Sequence, residues 1–244
     1  MDPVTQFQDE KAKRIHAYRE DRGMRQLADT FRTEAIRRDY EYNFTWLGRP
    51  IIQFPQDLVA MQELIWQVQP DLIVETGIAH GGSVIFSASM LHLLGGDGIV
   101  VGVDIDIRAH NREAIEAHPM APRIRMIQGS SVAPEIVAQV WEHAKGREKV
   151  LVALDSNHTH EHVLAELQAY APLVTKGSYL VVFDTVVEDL PPELSSNRPW
   201  SPGDNPKTAV HEFLRDHPEF EIDQDLEAKL LLTVAPDGYL RRKE

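Results

Sequence analysis

One short segment of the sequence constrains the fold most: an apolar run, a glycine-rich turn and the start of an amphipathic stretch follow one another directly. Residues 72–74 are apolar and mostly β-branched, a pattern typical of a buried strand. Gly77, Gly81 and Gly82 allow a tight turn, and a helix is predicted from Ser83, with free backbone N–H groups in its first turn. A strand, a glycine turn and a helix N-terminus in this order form a platform for a nucleotide-like ligand in an α/β sheet.

The residues of this turn narrow the choice of ligand. The spacing is G-x-x-x-G-G, which differs from G-x-G-x-x-G, and no Gly-Lys-Ser/Thr follows, so a P-loop is excluded. Glu75 at the end of the strand would repel a pyrophosphate but attract a cationic amino acid. This favours S-adenosylmethionine (SAM), which carries an ammonium and a sulfonium but no phosphate. The alternative is an ordinary strand–helix turn with Glu75 solvated at its rim.

Composition bounds the class of protein. The 244 residues, 43% of them hydrophobic, are enough for one α/β domain, predicted over residues 41–244 behind a helical extension over residues 1–40. No apolar run approaches the ~20 residues needed to span a bilayer, and no signal peptide is evident, so no membrane partner is expected. The absence of cysteine fits a cytoplasmic protein. A net charge of −13 argues against nucleic acid and for a small-molecule partner.

Further strands with the same ending follow along the chain. Alternating strands and helices predict a Rossmann-like, doubly wound parallel sheet of about seven strands, with right-handed crossovers that place the strand C-termini on one edge. Four predicted strands end in an acid, and these acids should gather along that edge: Glu75, Asp104, Asp155 and Asp184. The last two strands are predicted at 220–223 and 229–234, as an antiparallel pair at the end of the sheet. Residues 190–206, rich in proline and containing Trp200, are predicted to form a lid over the acidic edge.

Asp104 and the segment after the third predicted strand suggest a nucleoside site. An acid at the end of the second strand is placed to accept the two ribose hydroxyls, of NAD or of SAM alike. Ser130, in Gly129-Ser130-Ser131, would lie near the adenine edge or would cap the next helix.

Asp155 and Asp184 follow neighbouring central strands, and two carboxylates that meet there are unfavourable unless a cation lies between them. Mg²⁺ suits such oxygen ligands. Alternatively, one acid contacts the cofactor and the other caps a helix. His158, just past Asp155, is the first candidate for a general base and His160 the second, with helix capping as the alternative for both. The H-x-H-E-H run is one residue too short for a metallo-hydrolase motif.

With these residues in place, the chain resembles the cephalosporin hydroxylase and rhamnosyl O-methyltransferase family, a group with the class I SAM-dependent methyltransferase fold. The resemblance covers roughly residues 40–240. It rests on Ile73-Val74-Glu75-Thr76-Gly77 with Gly81-Gly82-Ser83, on Leu154-Asp155-Ser156 with His158, and on the strand before Asp184-Thr185.

The resemblance implies a seven-stranded sheet with an antiparallel last strand, and a homo-oligomer. It also implies cofactor contacts along the glycine turn, in which Gly81 lies, and at Glu75, Gly77, Ser83, Asp104 and Asp155. Members with a metal use an acid at the position of Asp155 and an acidic pair at the end of the fifth strand. Here that pair is Phe183-Asp184, so one ligand is missing, although two carboxylates plus water remain feasible.

The leading hypothesis is therefore a SAM-dependent O-methyltransferase acting on a hydroxyl of a small molecule, a sugar or a natural-product scaffold. In it Asp155 and Asp184 hold Mg²⁺, and His158 and Asp155 act in catalysis. Two alternatives stay open. One is an NAD-dependent oxidoreductase on the same sheet, and the other is a catalytically silent cofactor-binding subunit of a biosynthetic pathway.

Overall fold

The chain begins with two capped helices. A computed structural model describes residues 2–243 and places α1 at Pro3–Glu20 and α2 at Arg22–Ile36. Asp2 accepts a hydrogen bond from the Thr5 backbone N–H, and Asp21 accepts one from that of Met24, so each helix starts at an aspartate cap. The predicted N-terminal helices are confirmed.

A small hairpin leads into the main sheet. A 3₁₀ turn at Tyr40–Asn43 precedes β1 (Phe44–Trp46) and β2 (Arg49–Ile51), and these two strands pair antiparallel. Helix α3 (Pro55–Val68) follows, with a proline at its start, where the missing N–H costs no hydrogen bond.

Strands and helices then alternate along the rest of the chain. The strands are β3 (Leu72–Thr76), β4 (Ile99–Asp104), β5 (Ile124–Gln128), β6 (Val150–Leu154), β7 (Tyr179–Val182), β8 (Phe220–Ile222) and β9 (Tyr239–Arg242). The helices are α4 (Gly82–Leu94), α5 (Ala109–Glu116), α6 (Pro134–Ala144), α7 (His160–Tyr170), α8 (Pro206–Asp216) and α9 (Gln224–Leu230).

The seven strands from β3 onward form one sheet in the order β5-β4-β3-β6-β7-β9-β8. β3 pairs in parallel with β4 and β6, which lie on its two sides, and β9 runs antiparallel to β7 and β8. β3, β6 and β7 are buried along their whole length between two apolar clusters, one on each face of the sheet. The predicted doubly wound fold with an antiparallel last strand is therefore confirmed.

The predicted end of the chain is wrong in one respect. Residues 229–234, predicted as the last strand, contain instead the end of α9 and an irregular segment, and the last strand is β9. The helix begins where Asp223 caps the backbone N–H of Leu226, and β9 inserts between β7 and β8, so it does not extend the edge. Of the seven strands, β9 alone runs against the direction of the other six, and β8 runs in the direction of β7.

Candidate active site

A cavity of about 460 Å³ opens at the edge of the sheet where the central parallel strands end. Six residues on its wall carry the chemistry or shape its floor: Gly77, Ser83, Asp155, His158, Asp184 and Trp200. A smaller cavity of about 110 Å³ lies beside it. Gly77 and Ser156 line both cavities, which therefore adjoin along the ends of β3 and β6.

Asp155, His158 and Asp184 form one cluster in the larger cavity. One ligand atom from each of the three side chains lies within 4.8 Å of the other two. His158 Nε2 is 3.1 Å from Asp184 Oδ2, and the two side chains are 14% and 36% exposed. The edge of the His158 ring meets the Trp200 ring at 4.6 Å between centroids, so a residue of the predicted lid contacts the candidate base.

The end of β6 brings Asp155 against the glycine turn. The Asp155 backbone N–H donates to the Thr76 carbonyl at 2.9 Å, continuing the parallel ladder by one residue. Gly77 has a φ of +90°, and a Cβ at this position would lie 2.0 Å from the Asp155 carbonyl oxygen. Glycine is therefore required at Gly77 both for backbone conformation and for space.

Asp184 lies two residues past the end of β7 in a left-handed conformation, with a φ of +55°. The preceding residue, Phe183, is 6% exposed and packs in the core. A second acid at the end of this strand, as the family pattern implies, is therefore replaced here by a core side chain. His158 supplies a third potential ligand atom in the cluster instead.

The cluster has an unfavourable excess of negative charge. The pKa of Asp155 lies well above its ordinary value, first because the carboxylate is desolvated and then because Asp184, Glu75 and Glu166 repel its charge. A cation bound among these groups would remove that repulsion, so the arrangement is suited to a positive ligand.

Glu75 lies behind the cavity wall. Its side chain is 5% exposed, and its Oε1 accepts a hydrogen bond from the Ser83 hydroxyl, which does face the cavity. Burial raises the pKa of Glu75 to about 7, although the Ser83 hydrogen bond acts in the opposite direction. Its contact with the cofactor stays a prediction. In this conformation the Ser83 hydroxyl lies between the Glu75 carboxylate and the cavity.

The predicted nucleoside residues lie together in the smaller cavity, which is lined by Asp104 and Ser130. Asp104 Oδ2 accepts from the backbone N–H groups of Ile78 and Ala79 at 2.8 and 3.1 Å. Asp104 thus shapes the glycine turn as well as lining the cavity, a second role that the sequence pattern did not indicate.

Two candidates from the sequence lie away from the cavity walls. Gly81 has a φ of +86° at the start of α4, where a Cβ would meet the Ile115 side chain at 2.5 Å, so its role in this structure is conformational. The His160 ring turns to α8, with Nδ1 2.8 Å from the Thr208 hydroxyl and Nε2 3.3 Å from Glu212. Between the two histidines considered as the base, the geometry favours His158.

Some residues of the site were not found by sequence reasoning. Gln53 donates from Nε2 to Asp155 Oδ2 at 3.1 Å across 102 residues of chain. Glu41 and Arg198 line the larger cavity on the side of the N-terminal segment and the lid. Nothing in the local sequence around Gln53 indicates a partner that lies 102 residues away.

Comparison with known proteins identifies the family. Residues 38–243 match the family described as rhamnosyl O-methyltransferase/CmcI. The chain belongs to this family. The predicted resemblance is confirmed, and with it the methyltransferase class.

Two relatives support this assignment. A rhamnosyl O-methyltransferase of Mycobacterium leprae is 31% identical over 203 residues, which cover 82% of this chain and 83% of the relative. A rhamnosyl O-methyltransferase of Mycobacterium tuberculosis (strain ATCC 25618 / H37Rv) is 30% identical, over 81% of this chain and 78% of the relative.

The fold of this rhamnosyl O-methyltransferase/CmcI family member also matches solved structures. A structure of CmcI with Mg and SAM aligns with a TM-score of 0.57 at 19% identity, over 83% of this chain and 78% of CmcI. An O-methyltransferase from Bacillus cereus in complex with SAH aligns with a TM-score of 0.53 at 16% identity, covering 80% and 81%. At these identities the likeness shows the fold alone.

Proposed function

We propose that the protein transfers the methyl group of SAM to a hydroxyl of a sugar or of a sugar-bearing natural product, with assistance from Mg²⁺. The observation that carries the proposal is the cluster of Asp155, His158 and Asp184 in a cavity at the carboxyl edge of a methyltransferase-fold sheet. The names of the relatives, rhamnosyl O-methyltransferases, support a sugar hydroxyl as the acceptor.

In this proposal the cofactor occupies both adjoining cavities. The smaller cavity, with Asp104 and Ser130, takes the adenosine. The larger cavity takes the methionine portion beside Ser83 and Gly77, which leaves the sulfonium methyl facing the acidic cluster. A positively charged sulfonium is favoured there, because Asp155, Asp184 and Glu75 together make this region negative.

The donor set fits a hard divalent cation. Asp155 and Asp184 offer carboxylate oxygens within 4.8 Å of each other, and the pKa of Asp155 is raised by burial and then by repulsion from Asp184 and other acids. Asp155 and Asp184 would hold Mg²⁺, which would supply Lewis acidity to lower the pKa of the acceptor hydroxyl.

The residues of the chain carry the proton transfer and the positioning. His158 accepts the hydroxyl proton as the oxygen attacks the methyl carbon and the carbon–sulfur bond breaks. Asp184, 3.1 Å from His158 Nε2, stabilises the imidazolium that forms. Trp200 packs against the His158 ring and shields the proton-transfer step from water. Alignment of oxygen and methyl supplies much of the remaining acceleration.

The test is methyl transfer to a panel of rhamnosides and other glycosides. It is followed as release of S-adenosylhomocysteine and as the gain of one CH₂ in the mass of the acceptor. His158→Ala is expected to lower kcat by about 10²- to 10⁴-fold. His160→Ala, its matched control on the α8 side, should leave kcat nearly unchanged. Loss of SAM turnover in the control alone, or full activity of His158→Ala, would refute the assignment of the base.

A further inference from the structure

We propose that the short segment 53–57, which leads from β2 into the first turn of α3, fixes the positions of both carboxylates of the acidic pair, Asp155 and Asp184. Gln53 donates a hydrogen bond to the Asp155 carboxylate. Asp57 accepts one from the Val234 backbone, in the segment that supports the turn containing Asp184. Neither residue lies in a catalytic role assigned above, and both come from one stretch of five residues. The proposal rests on the proposed function in one respect, which is that the pair binds a divalent cation.

Gln53 fixes the orientation of Asp155. The Gln53 side chain is 5% exposed, and its Nε2 donates to Asp155 Oδ2 at 3.1 Å. Within residues 2–243 this is the one hydrogen bond from a side chain to the Asp155 carboxylate. Since a carboxylate only accepts, the amide NH₂ must face Asp155 and the amide oxygen must face away. The carboxylate is therefore held in one rotation before any ligand arrives.

Asp57 is a buried carboxylate with three donors. It is fully buried on α3, where its Oδ1 accepts from the Thr233 hydroxyl at 2.5 Å and from the Tyr239 hydroxyl at 2.7 Å. Its Oδ2 accepts from the Val234 backbone N–H at 3.0 Å. Buried charge that accepts several hydrogen bonds is costly to disturb, because removing the acceptor leaves each donor unsatisfied. Asp57 thus anchors the irregular segment 233–236 to α3 through Thr233 and Val234.

This anchored segment supports the turn that carries Asp184. The Val186 backbone N–H donates to the Val234 carbonyl at 3.1 Å. The buried hydroxyl of Thr185 donates to the Pro236 carbonyl at 2.6 Å. Both donors come directly after Asp184, so the position of the Asp184 backbone depends on segment 233–236 and, through it, on Asp57.

Asp184 needs such support because its backbone is in the left-handed region, at a φ of +55°. A non-glycine residue in this region persists where the surrounding structure determines its conformation. The chain of hydrogen bonds Asp57–Val234–Val186 ends two residues from Asp184. Without Asp57 the turn is free to relax, and the distance between the two carboxylates is no longer fixed.

Replacing Asp57 or Gln53 should therefore weaken cation binding, although neither residue is a ligand of the cation. Residues that orient metal ligands typically contribute 10- to 100-fold in affinity. We expect Asp57→Asn to weaken binding of Mn²⁺, the probe for the divalent site, by at least about 10-fold, and Gln53→Leu to weaken it by about 5-fold or more. Electron paramagnetic resonance of free Mn²⁺ measures both affinities in the full chain.

Two matched controls separate positioning from stability. Asp71 accepts from the backbone N–H groups of Glu148 and Lys149, each at 2.9 Å, at the opposite end of β3. Asp71→Asn therefore loses the same kind of bond far from the cavity and should leave Mn²⁺ affinity within about twofold while it lowers the free energy of unfolding. Gln62 is exposed on α3, so Gln62→Leu is the control for Gln53.

A second readout does not depend on the cation. The His158 ring lies edge-on to Trp200 and 3.1 Å from Asp184, so its ring-proton resonances report any movement of the turn. Asp57→Asn should shift these resonances in cation-free protein, and Asp71→Asn should not. If Asp57→Asn does not fold, Thr233→Val is used in its place, because it removes one of the three donors to Asp57.

The outcomes distinguish this proposal from the proposed function. Weakened Mn²⁺ binding and shifted His158 resonances in Asp57→Asn, with both controls normal, support the positioning role. Mn²⁺ affinity within twofold of wild type and unshifted resonances would overturn it, even where stability falls. Wild-type protein that binds no Mn²⁺ would remove the metal from the proposed function, and the His158 resonances alone would then decide the positioning role.

Discussion

Glu75 is a carboxyl group whose burial makes stability depend on pH. Its pKa is raised to about 7 against an ordinary value of 4.5, so the folded state binds its proton more tightly than the unfolded state does. Its contribution to stability is therefore fully present below about pH 4.5 and is lost as the pH rises through about 7. In ligand-free protein, Glu75 should accordingly be a source of instability at alkaline pH.

Glu75→Gln should remove this dependence. The glutamine side chain keeps an oxygen that can accept from the Ser83 hydroxyl, but it does not ionise. A pKa difference of about 2.5 units corresponds to about 3 kcal/mol. The free energy of unfolding in urea should be higher in the variant by up to that amount at pH 8, and the difference should shrink towards zero near pH 5. An equal difference at both pH values would contradict the assigned burial of the charge.

Asp104 is expected to bind the ribose, and its replacement tests that role. Asp104→Ala should weaken SAM and S-adenosylhomocysteine alike by about 10-fold or more, because both share the ribose and each lost charged hydrogen bond contributes about 1.5–3 kcal/mol. Asp106→Ala, at an exposed position two residues on, is the control. Calorimetric affinities that are unchanged in Asp104→Ala would remove the ribose assignment.

The junction of β3 and β6 is the element on which the site depends, and Gly77 is the residue that permits it. Gly77→Ala should lower the free energy of unfolding by about 3 kcal/mol, since a positive φ and a close contact with the Asp155 carbonyl both oppose a Cβ. Gly146 also has a positive φ, but nothing lies within 4 Å of a Cβ there. Gly146→Ala should cost only about 1 kcal/mol.

The difference between these two glycine variants isolates the steric contact. Urea unfolding measures both, and equal losses would show that the ends of β3 and β6 can separate without cost. A SAM titration of Gly77→Ala should also show weakened binding, because Gly77 lines both cavities.

The sequence predicts an element correctly where the local pattern of apolar residues distinguishes a strand from a helix. The strands β3, β4, β6 and β7 are apolar runs with clear ends, so local pattern was enough to place them and the acids that follow. Residues 229–234 are also mostly apolar, and Leu230 and Val234 are buried, but they lie in a helix end and an irregular segment, so the apolar run alone wrongly predicts a strand. Short apolar runs carry this ambiguity.

The residues that sequence reasoning missed act through distant partners. Gln53 contacts Asp155 across 102 residues, and Asp57 contacts Val234 across 177. Nothing local distinguishes these two side chains from other polar residues at a helix start. Likewise, the sequence placed Glu75 at the acidic edge correctly, but only the structure shows that the Ser83 hydroxyl covers it.

Ion pairs connect the N-terminal helical segment to the sheet domain. Arg19 pairs with Asp225 at 2.5 Å, and Arg37 pairs with Glu193 of the lid at 3.5 Å. α1 buries no side chain, and α2 buries only Arg32 and Ala35. The division at residue 40 and a homo-oligomeric assembly stay predictions, and light scattering of the purified protein measures the latter.

No helix within residues 2–243 is both long and apolar enough to cross a membrane. The cytoplasmic location stays a prediction. The exposed apolar side chains of α2, Leu27 and Phe31 among them, lie on a surface separate from the two cavities, so they do not bear on the proposed chemistry.

The central claim is that the acidic edge of this sheet binds SAM. A calorimetric titration of SAM into the purified protein, with NADH in parallel and with Mg²⁺ or a chelator present, tests it most directly. SAM is expected to bind with a dissociation constant on the order of micromolar, and NADH is expected not to bind. NADH binding in place of SAM, or no binding of either, would contradict it, and the roles assigned to Asp104, Asp155 and His158 would fall with the cofactor.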